Sequence, residues 1–184
     1  VQAIEWFGLD HVGKSPSRFD LKKLEHLNGH YIRESDDQRL AELVAPKLGL
    51  DSGQAQLLVT AMPELKSRAH DLNQLAEGAR FLFAVRPLEM DEDAAALLSP
   101  EARALLAAAH RELGALTEWT AGKIEAAVRR VAEGAGTKLG KLAQPLRAAL
   151  TGRTTSPGIF DVLALLGQGE SLARIADQTM EPTE

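Results

Sequence analysis

The sequence predicts an all-α fold, an irregular helical bundle or superhelix of two helical subdomains. Apolar residues recur at three- and four-residue steps along most of the chain, which is the spacing of a helix face buried on one side. The hydrophobic fraction is 45 % but the aromatic fraction only 4 %, with alanine and leucine, both strong helix formers, dominating. No stretch alternates apolar and polar side chains as a half-buried strand does. The 184 residues are enough for a substantial core.

Val1–Ser17 reads as a boundary. Ile4, Trp6, Phe7, Leu9 and Val12 suit one short helix or turn, and Gly8, Gly13 and Pro16 interrupt anything longer. Such a beginning fits a cut inside a longer chain. Ser15-Pro16-Ser17 leads to a helix whose N-terminus Asp20 favours. Leu21, Leu24 and Leu27 share one face of this amphipathic helix, with Lys22, Lys23, Glu25 and His26 mostly around the other. Asn28-Gly29 is expected to break the run before a short piece at Tyr31–Arg33.

Ser35 with Gln38 has the pattern of a capping box, followed by the stripe Leu40, Leu43, Val44 and Leu48 and a stop at Gly49. Gln54–Ala61 reads as a short helix. Pro63 then opens one long helix through Phe83, along the steps Leu65, Ala69, Leu72, Ala76 and Ala79. Pro87 and the acids after it end that unit, and a hinge between subdomains is expected near Arg86–Leu97. Ser99-Pro100-Glu101 starts the next helix, which Gly114 ends. Thr117 or Thr120 caps a helix carrying Ile124, Ala127, Val128 and Val131. Pro145 predicts that Leu139–Leu150 is two short pieces broken before Gln144, with Leu142, Leu146, Ala149 and Leu150 inward. Ser156-Pro157 precedes a buried helix of Ile159, Phe160, Leu163 and Leu166 that stops at Gly167. Ser171–Gln178 forms the last helix, with Leu172 and Ile175 inward, and Met180–Glu184 frays.

Reactive patterns are missing. Five histidines occur, yet none forms a His-Glu-x-x-His motif, and there is no cysteine, so no metal site is expected. His26 and His30 have helical spacing, but the expected break at Asn28-Gly29 separates them. Ser15, Ser99 and Ser156 precede prolines, where cap or turn roles suffice, and no glycine-rich phosphate loop is present. Val1–Leu9 contains Glu5 and no basic leader, and no apolar run reaches the roughly 20 residues of a membrane span. The absence of cysteine suits a cytoplasmic protein. The formal net charge of -5 opposes a uniformly basic surface, but charge is uneven. Thr137–Arg153 holds Lys138, Lys141, Arg147 and Arg153 without an acid, while Glu89–Glu101 holds five acids without a base.

Two long stretches carry a family resemblance. KSPSRFDLKKLEHLNGHYIR, from Lys14, and PLRAALTGRTTSPGIFDVLALLGQGESLARI, from Pro145 to Ile175, resemble the C-terminal half of bacterial glutamyl-tRNA synthetases, in the right order and at a matching separation. The resemblance implies that residues 1–34 are the end of a stem-contact region, and that 35–90 and 91–184 are two helical anticodon-binding subdomains. It implies a parent enzyme that uses ATP to attach glutamate to tRNA(Glu), or also to tRNA(Gln) in a non-discriminating form. The HIGH-type and KMSKR-type signatures of that enzyme are not written here, and His11–Lys14 lacks the preceding strand context of the former. This chain is therefore expected to have no catalytic residue and no cofactor of its own. Its partners would be tRNA and a covalently attached catalytic domain, as a monomer in the cytoplasm without a membrane.

Candidate RNA contacts follow from charge, shape and that resemblance. Lys22, Lys23 and Arg33 suit backbone phosphate, or are simply solvated helix charge; His26 stands where the family commonly has tryptophan. Arg80 and Arg86 suit the seam between subdomains. Trp119 is either a stacking platform or, more simply, a hydrophobic anchor. Lys138 and Lys141 suit phosphate. Arg147, Arg153 and Thr154 lie at a helix junction, where a guanidinium can grip phosphate or a base edge, or satisfy local carbonyls. A concave face gathering Arg80, Lys138, Lys141 and Arg153 would favour RNA; an exposed apolar groove with dispersed cations would favour the rival, a helical protein-interaction module.

Overall fold

Caps, more than apolar periodicity, decide where the helices of this protein begin. The computed structural model describes residues 2–8, 10, 13 and 18–179, so the readings of Leu9, His11, Val12, Ser15-Pro16-Ser17 and Met180–Glu184 lie outside it. The first helix, α1 (Gln2–Trp6), leaves Ile4 and Trp6 exposed, and Phe7 beyond it is exposed too. Asp20 caps α2 (Leu21–Glu34), its Oδ1 accepting from Lys23 N at 3.1 Å. Asp36 caps α3 (Asp37–Leu48), which ends on Gly49 at φ 66°, the left-handed position that glycine adopts most cheaply. Asp51 and Gln54 form a full capping box at the start of α4 (Ser52–Lys66). Asp71 accepts from Asn73 N and Gln74 N to start α5 (Leu72–Ala79), which tightens into a 3-10 turn at Arg80–Leu82.

The second half continues in the same way. Asp91 caps α6 (Glu92–Ala96), Ser99 caps α7 (Pro100–Gly114) with Pro100 in the first turn, and Thr120 caps α8 (Ala121–Gly134). Next comes α9 (Leu139–Thr151), which ends on Gly152 at φ 69°. The last run, α10 (Ile159–Thr179), is kinked where Gly167 takes φ 74° and ψ 168°. Among the described residues there is no strand, and no helix is long and apolar enough to cross a membrane.

Helices α3, α4 and α5 pack on one another, and α7, α8, α9 and α10 form a second group against which α6 rests through α9. One hydrophobic cluster runs through both groups. Leu58, Met62 and Leu75 are fully buried in the first group, and Leu106, Ile124, Leu142, Leu146, Leu150, Leu163 and Ile175 in the second. Each such side chain contributes about 2–3 kcal/mol of transfer free energy.

Five sequence expectations are corrected. Asn28-Gly29 does not break α2, and His26 and His30 share one continuous helix. Gly29 is buried, and a Cβ there would stand 2.7 Å from His70 Nδ1, while Asn28 Nδ2 donates to the His70 carbonyl at 2.6 Å. The pair makes a close helix contact, not a turn. Second, Leu21, Leu24 and Leu27 are exposed, because α2 meets the bundle through Gly29 and Ile32 on its other side.

Third, Ser35 is not the cap of α3. Its Oγ donates to Tyr31 O and its N–H to Ile32 O, closing α2, and Gln38 bonds Glu42 instead. Fourth, Pro63 lies inside α4, and no helix runs unbroken to Phe83. The apolar steps continue across residues 67–71 because both helices face the same core, but Asp71 offers the following N–H groups a better partner than helix continuation. Fifth, Pro145 is buried inside an unbroken α9; the carbonyl its ring leaves unpaired belongs to Lys141, an exposed first-turn residue.

Arg174 locks the two groups together. It is only 2 % exposed, and its Nη1 donates to the carbonyls of Phe81 and Leu150, both at 2.8 Å. Its Nη2 donates to Ala84 O at 3.1 Å and its Nε to Glu170 Oε1 at 2.6 Å. Arg174→Ala would strand three carbonyls and open a void, and is expected to cost about 3 kcal/mol of unfolding free energy in urea titration. A loss below about 1 kcal/mol would mean that water replaces the guanidinium without penalty.

Candidate nucleic-acid interface

The seam that Arg174 closes also shapes a surface. A cleft of about 580 Å³ opens there, between the segment from Glu77 to Glu89 and the junction after α9, with Thr151, Arg153, Thr155 and Ser156 on that second wall. Arg80, Arg86 and Arg153 all line it. The junction is held rigid by backbone and hydroxyl bonds. Gly152 N–H donates to Ala148 O at 2.9 Å, Asp91 N–H donates to Gly152 O at 3.2 Å, and Thr151 Oγ1 donates to Arg147 O at 2.9 Å. Glycine is required at 152, since its φ is positive and a Cβ would press on the Glu89 carbonyl.

At one end of this seam lie two arginines without an acid. Arg147 Nε donates to Ser156 Oγ at 2.9 Å, and Arg68 Nη1 donates to the Ser156 carbonyl at 3.4 Å. Burial, and then the neighbouring Arg68 guanidinium, push the Arg147 pKa below the ordinary arginine value. Among the described residues no carboxylate forms an ion pair with either side chain, whereas Arg80, Arg86, Arg129, Arg130, Arg153 and Arg174 each have one. Two cations converging on one serine form a local positive field suited to an anion with several acceptor oxygens, such as phosphate.

The remaining candidates are dispersed. Lys22 and Lys23 are exposed in the first turn of α2 and Arg33 is half-buried in its last, roughly 16 Å along the axis. Lys138 and Lys141 are exposed at the start of α9, roughly 20 Å of helix from Arg153 beyond its end. The gathered face of Arg80, Lys138, Lys141 and Arg153 is therefore not formed: Arg80 and Arg153 meet at the cleft and the lysines do not. Thr154 is half-buried in the junction. Trp119 is half-buried, and its Nε1 donates to Leu163 O at 2.9 Å, so its indole is anchored to α10.

Sequence reasoning missed Arg68 and Arg174. Arg68 was hidden by the reading of residues 63–83 as one helix; the Asp71 cap is the signal that places it in a joint. Arg174 falls three residues after Ser171 and one before Ile175, on the buried face of the last helix, and a cation on an apolar face marks a structural tie. Among the described residues no cluster of three metal-ligating side chains occurs.

This helical architecture with its arginine-lined seam is that of an anticodon-binding module. The chain belongs to the anticodon-binding-domain family, whose model, described as "Anticodon binding domain", matches residues 39–179. Among curated proteins it is similar to glutamate–tRNA ligase 2 of Rhizorhabdus wittichii, 62 % identical over 183 residues, covering 96 % of this chain and 39 % of that protein. It is likewise similar to glutamate–tRNA ligase 2 of Zymomonas mobilis, 58 % identical over 189 residues, 99 % of this chain and 39 % of the relative. The chain thus spans about two fifths of the length of these relatives. A crystal structure of a glutamate tRNA ligase from Elizabethkingia meningosepticum has the same fold, with a TM-score of 0.76 at 23 % identity, over 94 % of this chain and 35 % of that one.

The Trp119 bond to Leu163 yields a test of its role. Trp119→Phe keeps a ring but deletes the N–H donor, and is expected to lower unfolding free energy by about 1 kcal/mol while changing RNA affinity less than about twofold. A tenfold loss of RNA affinity with unchanged stability would make the indole a base platform instead.

Proposed function

We propose that this chain is the tRNA-recognition arm of a glutamate–tRNA ligase. In this reading residues 1–34 belong to a stem-contact region, and residues 35–90 and 91–184 are two helical subdomains that receive the anticodon loop of tRNA(Glu) along their seam. Activation of glutamate with ATP, and its transfer to tRNA, fall to a covalently attached catalytic domain; this chain supplies affinity and orientation, as a cytoplasmic monomer. Lys22, Lys23 and Arg33 reach toward the stem, and Arg80, Arg86, Arg153 and Thr154 border the loop site.

The observation that carries the proposal is the Arg68–Arg147 pair on Ser156. Like charges are held together there at a cost, without a carboxylate to offset it, which is reasonable for a surface that meets phosphate or an unstacked base. The similarity to glutamate–tRNA ligases supports the choice of tRNA(Glu). Whether tRNA(Gln) is also accepted follows from the bases that the pair tolerates.

Titration of the chain with tRNA(Glu) and with an anticodon-swapped version, at several salt concentrations, tests this. The cognate RNA is expected to bind tighter, and Arg147→Gln or Arg68→Gln to weaken it about tenfold while flattening the salt dependence by about one counterion. Equal affinity for both RNAs would refute anticodon reading, and no binding to either at low salt would refute RNA recognition by this chain.

A further inference from the structure

Helix α2 carries exposed cations and exposed leucines, yet among the described residues no other helix packs extensively along it. Its direction is set by a short segment instead. We propose that the seat of α2 on that segment, made by the Asn28 side chain on the His70 carbonyl, is a positioning contact for RNA. It fixes the spacing between Lys22 and Lys23 and the Arg68–Arg147 pair, so that one tRNA engages both. The inference rests on the RNA-binding reading above and adds the residue that joins its two ends.

The seat is built from both sides. Residues 66–71 lead from α4 into α5, and they are pinned in place. Ala69 is buried, the His70 N–H donates to Gln74 Oε1 at 3.1 Å, and Asp71 caps α5. Two groups of this segment hold α2. The His70 carbonyl accepts from Asn28 Nδ2 at 2.6 Å, and Lys66 Nζ donates to the carbonyl of Ser35, the C-cap of α2, at 2.9 Å. Lys66 also pairs with Asp37 at 2.7 Å, which ties the start of α3 to the same point. Gly29 permits the approach, since a Cβ there would lie 2.7 Å from His70 Nδ1 and 3.5 Å from the Ala69 carbonyl oxygen. Between these two groups, Arg68 reaches instead to the Ser156 carbonyl at 3.4 Å. One short segment therefore touches both proposed RNA contacts.

When two contact sets on one body grip the same ligand, the second forms at an effective concentration that depends on how well the body fixes their separation. A loose α2 would have to be ordered as RNA binds, at the expense of affinity, whereas a seated one is ordered beforehand. Asn28 lies more than one turn from Lys22 and Lys23, and its Nδ2 is committed to the His70 carbonyl, so it acts through the lysines.

Two RNAs separate this role from a merely structural one. Full-length tRNA(Glu) reaches both contact sets, and its isolated anticodon stem-loop reaches only one. The chain and its Asn28→Ala variant, which loses the donor but keeps a good helix former, are titrated with each RNA. The substitution is expected to weaken full-length tRNA about fivefold and the stem-loop less than about 1.5-fold. In a chain carrying Lys22→Gln and Lys23→Gln, Asn28→Ala is expected to cause almost no further loss, because the contact it positions is gone. An equal loss on both RNAs, no loss on either, or a loss that adds in full to that of the lysine substitutions overturns the positioning role while the arginine-pair reading stands. If the unaltered chain binds neither RNA, the RNA reading falls and this inference with it.

Discussion

The buried guanidinium of Arg174 is the constraint on which the seam depends. Helix ends leave carbonyls without partners, and here the 3-10 turn, the loop after it and the last turn of α9 deliver three of them to one place. Arginine is the side chain with enough donors, spread over a rigid plane, to satisfy all three and still bond a carboxylate. Glu170 provides that carboxylate and extends its other oxygen toward Arg86, at the mouth of the cleft. Interior satisfaction and surface charge are thus joined by one acidic residue. The walls of the cleft hold their spacing because the carbonyls behind them have no better partner.

The same wiring resolves the conflict between an acidic chain and a polyanionic ligand. The net charge of -5 describes the whole molecule, whereas the proposed RNA contact involves only a patch. Among the described residues acids are paired with Arg80, Arg86, Arg129, Arg130, Arg153 and Arg174, which keeps those cations fixed and mutes their reach. Arg68 and Arg147 escape this pairing and are brought together by a serine. Distribution, not total, sets what the seam attracts.

Much of the fold was legible in the residues because local signals agreed with the packing. Ser99-Pro100, Thr120, Gly49 and Gly152 sit where cap chemistry places them, and the stripe Ile124, Ala127, Val128, Val131 is buried as its spacing requires. The failures share a cause. Gly29, Pro63 and Pro145 were weighed by local preference, whereas Gly29 packs against His70 from another segment and both prolines lie inside helices that run past them. The leucines of α2 have helical spacing, but spacing cannot say which of two faces meets a neighbour. At the seam, Arg80, Arg86 and Arg153 were recognisable by charge, whereas Arg68 required knowing that residues 67–71 interrupt the helices.

The bare Cα of Gly29 has a mechanical consequence. Helix α2 touches the bundle at that point and at Ile32, while its first turn projects freely with the exposed leucines. Lys22 lies about 10 Å along the axis from the contact, so a tilt of roughly 10° swings it by about 2 Å. That displacement is comparable to the difference between a formed and a broken ionic contact. A single hydrogen atom, in place of a methyl group, thereby sets the aim of a lever whose far end is charged.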